Sequence, residues 1–348
     1  MLCGRRGISL SQNPPDETSN ARKRTEFYAM LHSRSTTYSE PTATRSTELW
    51  TEPATLPAQT QTGSGWIAAF VRAARQTIAP ATAREFFREL DANDPLLSRL
   101  GWGLLVVIPI FAAMAFSLPA IQGVNPWIKP IKFSMSFSTF ATTMSLLLLA
   151  LQIPRWQLNL ARRLMATSIA LEIFSLGAQA WRMAHALNGY SGIDGALAQL
   201  TNSMVMVNTA ITCWMLFLFC ANRVKADLVD GPMVSAIRYG MVIFLAGNAI
   251  GGYMLARGSH TVGTADGGPG LPFVNWSTIA GDLRIAHFIA IHAIQIVPLF
   301  AYILSQMAPI QTVKRRRMAI TALAIALSVA VGGTFVQAAL GRPLLPIH

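Results

Sequence analysis

The chain has 348 residues, of which 52% are hydrophobic and only 13% charged, and its formal net charge is +12. A soluble domain carries about 25% charged residues, so this chain cannot clothe a water-facing surface and lipid must be its solvent. Residues 1–100 hold 12 of the 28 basic and 10 of the 16 acidic side chains, which leaves 16 basic and 6 acidic groups for the rest. That basic excess sits in short segments between apolar runs, where membrane proteins keep Lys and Arg. A lipid bilayer is therefore the expected partner and no nucleic acid is needed.

Residues 1–64 read as a disordered cytoplasmic tail, rich in Ser, Thr, Pro and charge and without hydrophobic period. Arg5 and Arg6 precede no apolar stretch, so no secretory signal is read there. Residues 65–98 contain "WIAAFVRAARQTIA" and "ATAREFFREL", which suit short basic amphipathic helices at the membrane interface or a polar lead-in. Cys3, Cys213 and Cys220 make no C-x-x-C and imply no disulfide framework.

Residues 99–348 contain seven apolar runs, each near the 20 or so residues that cross a bilayer. They are approximately 103–121, 133–151, 164–184, 200–221, 234–256, 285–307 and 318–340. The expected fold is all-α, a polytopic membrane helix bundle of about seven transmembrane helices. With the N-terminus inside, the inner connections hold ten basic residues and the outer ones six, and the "KRRR" block at 314–317 is the strongest contributor. The expected orientation is N-terminus inside and C-terminus outside. Gly247 with Gly251, and Ser328 with Gly332, are small-residue pairs that let helices approach. Contacts within one bundle are the simpler use of them, and a homo-oligomer seam is the alternative.

The third run carries the chemistry-bearing strip. Glu172, Ser175, Gln179 and Arg182 fall at i, i+3, i+7 and i+10, on one helix face about 80° wide. A charge near mid-membrane costs roughly 2.5–3.5 kcal/mol on the mild insertion scale. Glu172 must therefore be protonated, paired or beside water. Its strip is expected to line an intramembrane polar site, with His292 and Gln295 of the sixth run on the opposite wall. A hydrogen-bonded network that merely locks helices is the competing account. Ser134, Ser138, Thr142 and Ser145, and likewise Thr201, Asn208 and Thr212, form further polar stripes. Lys129 and Lys132 read as interfacial anchors, or alternatively as a clamp for an anion.

His185 and His287 are expected at one depth, where such a pair could hold haem b. His260, Asp266 and Asp282, in the long Gly-rich connection 257–284, could instead gather a divalent metal with them. A structured lid is the simpler expectation for that loop, with "DGGPG" as a tight turn.

The segments "HFIAIHAIQ", "SHTVGTADGGPGLPFVNWSTIAGDLR" and "NPWIKPIKF" resemble those of an uncharacterised bacterial multi-pass transmembrane protein family. The resemblance spans roughly residues 95–345. It implies a bacterial inner (cytoplasmic) membrane location and transfers no catalytic residue. Zinc-dependent membrane hydrolases of the alkaline ceramidase type also have seven spans, but their H-x-x-x-H spacing differs from the H-x-x-x-x-H here. No diagnostic catalytic motif is present. Three functional classes follow: handling of a small solute, ion or proton through the polar site, haem- or metal-dependent redox chemistry, and a structural or sensory membrane role.

Overall fold

Backbone amides in lipid find no water, so an apolar run must satisfy them internally as a helix. The computed structural model of the chain describes residues 80–118, 125–182, 192–307 and 312–346. Within them the helices are α1 (Pro80–Asn93), α2 (Pro95–Ser117), α3 (Ile128–Ala150), α4 (Arg155–Trp181), α5 (Gly192–Cys220), α6 (Gly231–Arg257), α7 (Leu283–Ile291), α8 (Ala293–Gln306) and α9 (Val313–Ala339). Six of them (α2 to α6 and α9) are long and apolar enough to cross a membrane. The α7–α8 pair, bent by 41°, supplies a seventh crossing if it is one span. The N-terminal tail and its expected disorder lie outside the described residues, as does His185.

The outward surface is apolar, as lipid requires. Phe116 is 93% and Val106 69% exposed on α2, and Phe217 and Val329 stand out from α5 and α9. These helices belong to a multi-pass membrane protein. The chief packed pairs are α2 with α3, α4 with α5, and α6 with α7 and α8, and α9 lies on α6 and α7. One core joins Met144 and Leu148 of α3, Met165 and Ile169 of α4, Met215 of α5, Ile237 of α6 and Ile294 of α8. Phe140 and Phe244 stack within it, 5.6 Å apart and 14° from parallel.

Several helices begin earlier than their apolar runs. Asp94 caps α2, its carboxylate accepting from Leu97 N, and Pro95 takes the first turn, where a missing N–H costs nothing. Leu90 of α1 packs against Leu149 and Leu228, and Phe87 meets Trp102 edge-on at 4.9 Å, so α1 is docked on the bundle. Basic side chains close helix C-termini, whose last carbonyls lack helical partners. Arg238 donates to Phe219 O at 2.6 Å and Lys225 to Leu149 O at 2.8 Å. This explains how α6 tolerates Arg238, the charge that shortens the uncharged core of the fifth run.

The sixth run is not one straight helix. Pro298 offers no N–H to the carbonyl of Ile294, the bond a regular helix would make. The chain turns at His292, whose carbonyl accepts from Gln295 N in a tighter three-residue step at 3.1 Å. The break is set into α6 at bare glycines. A Cβ on Gly240 would lie 2.9 Å from Ala293 O, and one on Gly247 2.8 Å from Ala290 Cβ. The Gly247 and Gly251 pair thus serves contacts inside this bundle.

Candidate functional site

The α4 strip faces α5 in a regular antiparallel register. At one end Arg182 Nε reaches Asp194 Oδ1 at 2.6 Å. Seven residues deeper, Ser175 Oγ donates to Leu197 O at 2.6 Å and lies 2.9 Å from Thr201 Oγ1. Gln179 Nε2 donates to both hydroxyls at 3.2 Å. Another seven residues on, Ser168 Oγ donates to Asn208 Oδ1 at 2.9 Å. The pairs 182 with 194, 175 with 201 and 168 with 208 share one heptad spacing on each helix, so these polar groups of α4 each meet one of α5.

Glu172 is the exception. The same register assigns Met204 to its position on α5, and a thioether supplies no donor. Glu172 is fully buried, and neither carboxylate oxygen has a hydrogen-bond partner. Other buried polar atoms without partners among the described residues are Ser98 Oγ, Trp127 Nε1, Ser134 Oγ, Ser145 Oγ, Asn208 Nδ2 and Arg316 Nε. The charge that acts on Glu172 is the Lys129 ammonium. Lys129 is partly buried in the first turn of α3, which packs on α4. From the sequence Lys129 reads as an interfacial anchor or a clamp for an anion, because nothing in the local pattern links it to a carboxylate 43 positions away.

His292 and Gln295 occupy the break between α7 and α8, which pack chiefly on α6 and α9, whereas α4 packs on α5, α3 and α2. The α3 helix touches both α4 and α8, so the glutamate and the broken span lie on either side of it. The Gln295 side-chain amide lies against the carbonyls of His292 and Ile291, and it would donate to His292 O at 3.0 Å with its nitrogen turned toward them. The His292 ring meets Phe288 edge-on, 4.5 Å between centroids. His287 Nδ1 lies 2.8 Å from Gly247 O, a bond that holds the ring against α6. Its expected haem partner, His185, is outside the described residues.

The connection after α6 is a structured lid. Gly258 ends α6 in the left-handed region at φ 64°, and Gly267 of the "DGGPG" turn has φ 95°. Strand β1 (Thr261–Val262) pairs antiparallel with β2 (Gly281–Asp282). Asp282 caps α7 and binds Arg284 Nη2 at 2.6 Å, while Ser277 N donates to it at 2.9 Å. Arg284 also donates to Asn275 O. Asp266 accepts from Ser259 Oγ and Thr261 N, each at 2.9 Å, and His260 Nδ1 is 3.3 Å from it. The two aspartates are thus occupied by the lid's own donors. Among the described residues no three His, Cys, Asp or Glu side chains form a metal-holding group.

The lid should loosen with acid. Burial, and then the charge of Arg284, hold His260 below its usual value of 6.5. The opened lid therefore binds the proton more readily than the closed one, so closure is strongest above about pH 6.5 and weakens as the pH falls below it. Burial alone would raise Asp266 and Asp282, but hydrogen bonds and neighbouring positive charge outweigh it and hold both below 3.8. They add a second loss of the same sign at lower pH. Amide exchange across residues 259–282, corrected for intrinsic rate, should speed up between pH 8 and pH 5. Corrected protection that stays flat over that range would contradict this.

Comparison of the chain with protein families, with curated proteins and with solved structures gives no match.

Proposed function

We propose that this multi-pass membrane protein handles a proton or small cation at Glu172. One observation carries the reading: in a strip where every other polar group of α4 is paired across α5, both Glu172 oxygens are buried and unpartnered. A carboxyl group so placed must hold a proton, a cation or the Lys129 ammonium, since a bare buried charge is far too costly. Exchange among those three partners is the elementary step of a carrier. Ser175, Thr201 and Gln179 would stiffen the wall above it, and the Arg182–Asp194 pair would close the strip at its aqueous end.

The test uses purified protein in liposomes under a pH or alkali-cation gradient. Wild type should show flux. Glu172→Gln, which keeps the shape but exchanges no proton, should fold normally and lose at least 90% of that flux. A well-folded Gln variant with wild-type flux would leave the buried strip as a device that locks helices together.

A further inference from the structure

The opposite side of the bundle carries a second polar feature that the Glu172 reading leaves untouched. Helix α9 opens with Lys314, Arg315, Arg316 and Arg317 and has no acid in its first turn. Four cations there repel one another and the positive end of the helix dipole. Asp230 neutralises one of them, its Oδ2 lying 2.6 Å from Arg316 Nη1. Among the described residues Lys314, Arg315 and Arg317 meet no carboxylate.

Two of those three share a groove. Lys314, Arg317, Met318 and Thr321, with Val313, line an open cavity of about 540 Å³. Arg317 lies against bare Gly231 at the start of α6, and Thr321 Oγ1 is 3.5 Å from Tyr239 OH of the same helix. The groove therefore lies along α9, with α6 beside it at Gly231 and Tyr239, polar at its end and apolar further along. Met318, Ile325 and Val329 continue from Lys314 on one helical stripe and stand exposed. Gly332, on that stripe, faces open space. The cations mark this end of α9 as the lipid–water boundary. Two unneutralised cations above an apolar stripe match an anion carrying acyl chains.

The geometry points to a binding site for an anionic phospholipid, with its phosphate between Lys314 and Arg317 and its chains along Met318, Ile325 and Val329. Arg315 lies outside the groove and serves as the control. A specific lipid bound only to the folded state raises the unfolding midpoint by mass action.

The test is thermal unfolding of the full chain in phosphatidylcholine nanodiscs, with and without phosphatidylglycerol. Phosphatidylglycerol should raise the wild-type midpoint. The exposed double variant Lys314→Gln/Arg317→Gln should fold and lose more than half of that shift, and Arg315→Gln should keep it. No shift in wild type would overturn the site. So would a full shift in the double variant, or an equal loss in Arg315→Gln, which would mean diffuse surface charge. Inorganic phosphate reproducing the shift in phosphatidylcholine alone would replace the lipid with a free anion and overturn the proposal as well.

Discussion

Gly281→Ala is expected to destabilise the protein by about 3 kcal/mol or more, at the top of the range for overpacking. The Cα of Gly281 lies directly against the backbone of Ala338 in α9, so that a methyl group would overlap the Ala338 carbonyl. Both sides of this contact are backbone, and no side chain can rotate away to make room. Either β2 leaves β1, or the end of α9 is pushed off the lid. The second outcome would also disturb the cap that Asp282 provides for α7. Gly332→Ala is the matched control, because nothing lies within 4 Å of the added carbon. It should be neutral or stabilising by about 0.5–1 kcal/mol through helix propensity. Thermal unfolding of both variants in one detergent reads the difference. Equal midpoints for Gly281→Ala and wild type would mean that β2 does not rest on α9.

Asp94→Ala should cost about 3–5 kcal/mol, the usual penalty for breaking a buried ion pair. Arg162 Nε is 2.8 Å from Asp94 Oδ2, with side chains only 12% and 1% exposed. Asp94 also caps α2, and Arg162 reaches Asn93 O at 3.3 Å. The alanine variant thus strips a cap worth about 1 kcal/mol and strands a guanidinium. Asp94→Asn should lose less, since its side-chain oxygen can still accept from Leu97 N. Asp94→Ala/Arg162→Met should recover part of the loss by removing the stranded charge. The four unfolding midpoints test this order, and a double variant worse than Asp94→Ala would show that Arg162 is held by something other than Asp94.

The legible part of the candidate site was the α4 strip, because its period is a property of one helix. What could not be read was who faces it. Arg182 finds Asp194 and Gln179 finds Thr201, whereas Glu172 finds no hydrogen-bond partner among the described residues. Asp94 carried a readable signal, since Asp followed by Pro is a helix start. Its pairing with Arg162, 68 residues on, did not. The break at His292 had a cue in Pro298, but the run around it is uniformly apolar and reads as continuous.

By itself the sequence determined the solvent, the secondary structure and the faces of single helices. Each is local: some 20 apolar residues span a bilayer, and lipid leaves their backbones no choice but a helix. Only the tertiary structure decided which helices meet, that Gly240 and Gly247 seat the broken span, and that Glu172 is the one carboxylate of the α4 strip left without a partner among the described residues. The reason is that lipid is as apolar as the core. Val106 facing the bilayer and Met144 in the interior look alike in composition, so hydrophobicity does not mark the buried side of a membrane helix. Close backbone approach and hydrogen bonds between helices choose the partners instead, and those exist only once the bundle is assembled.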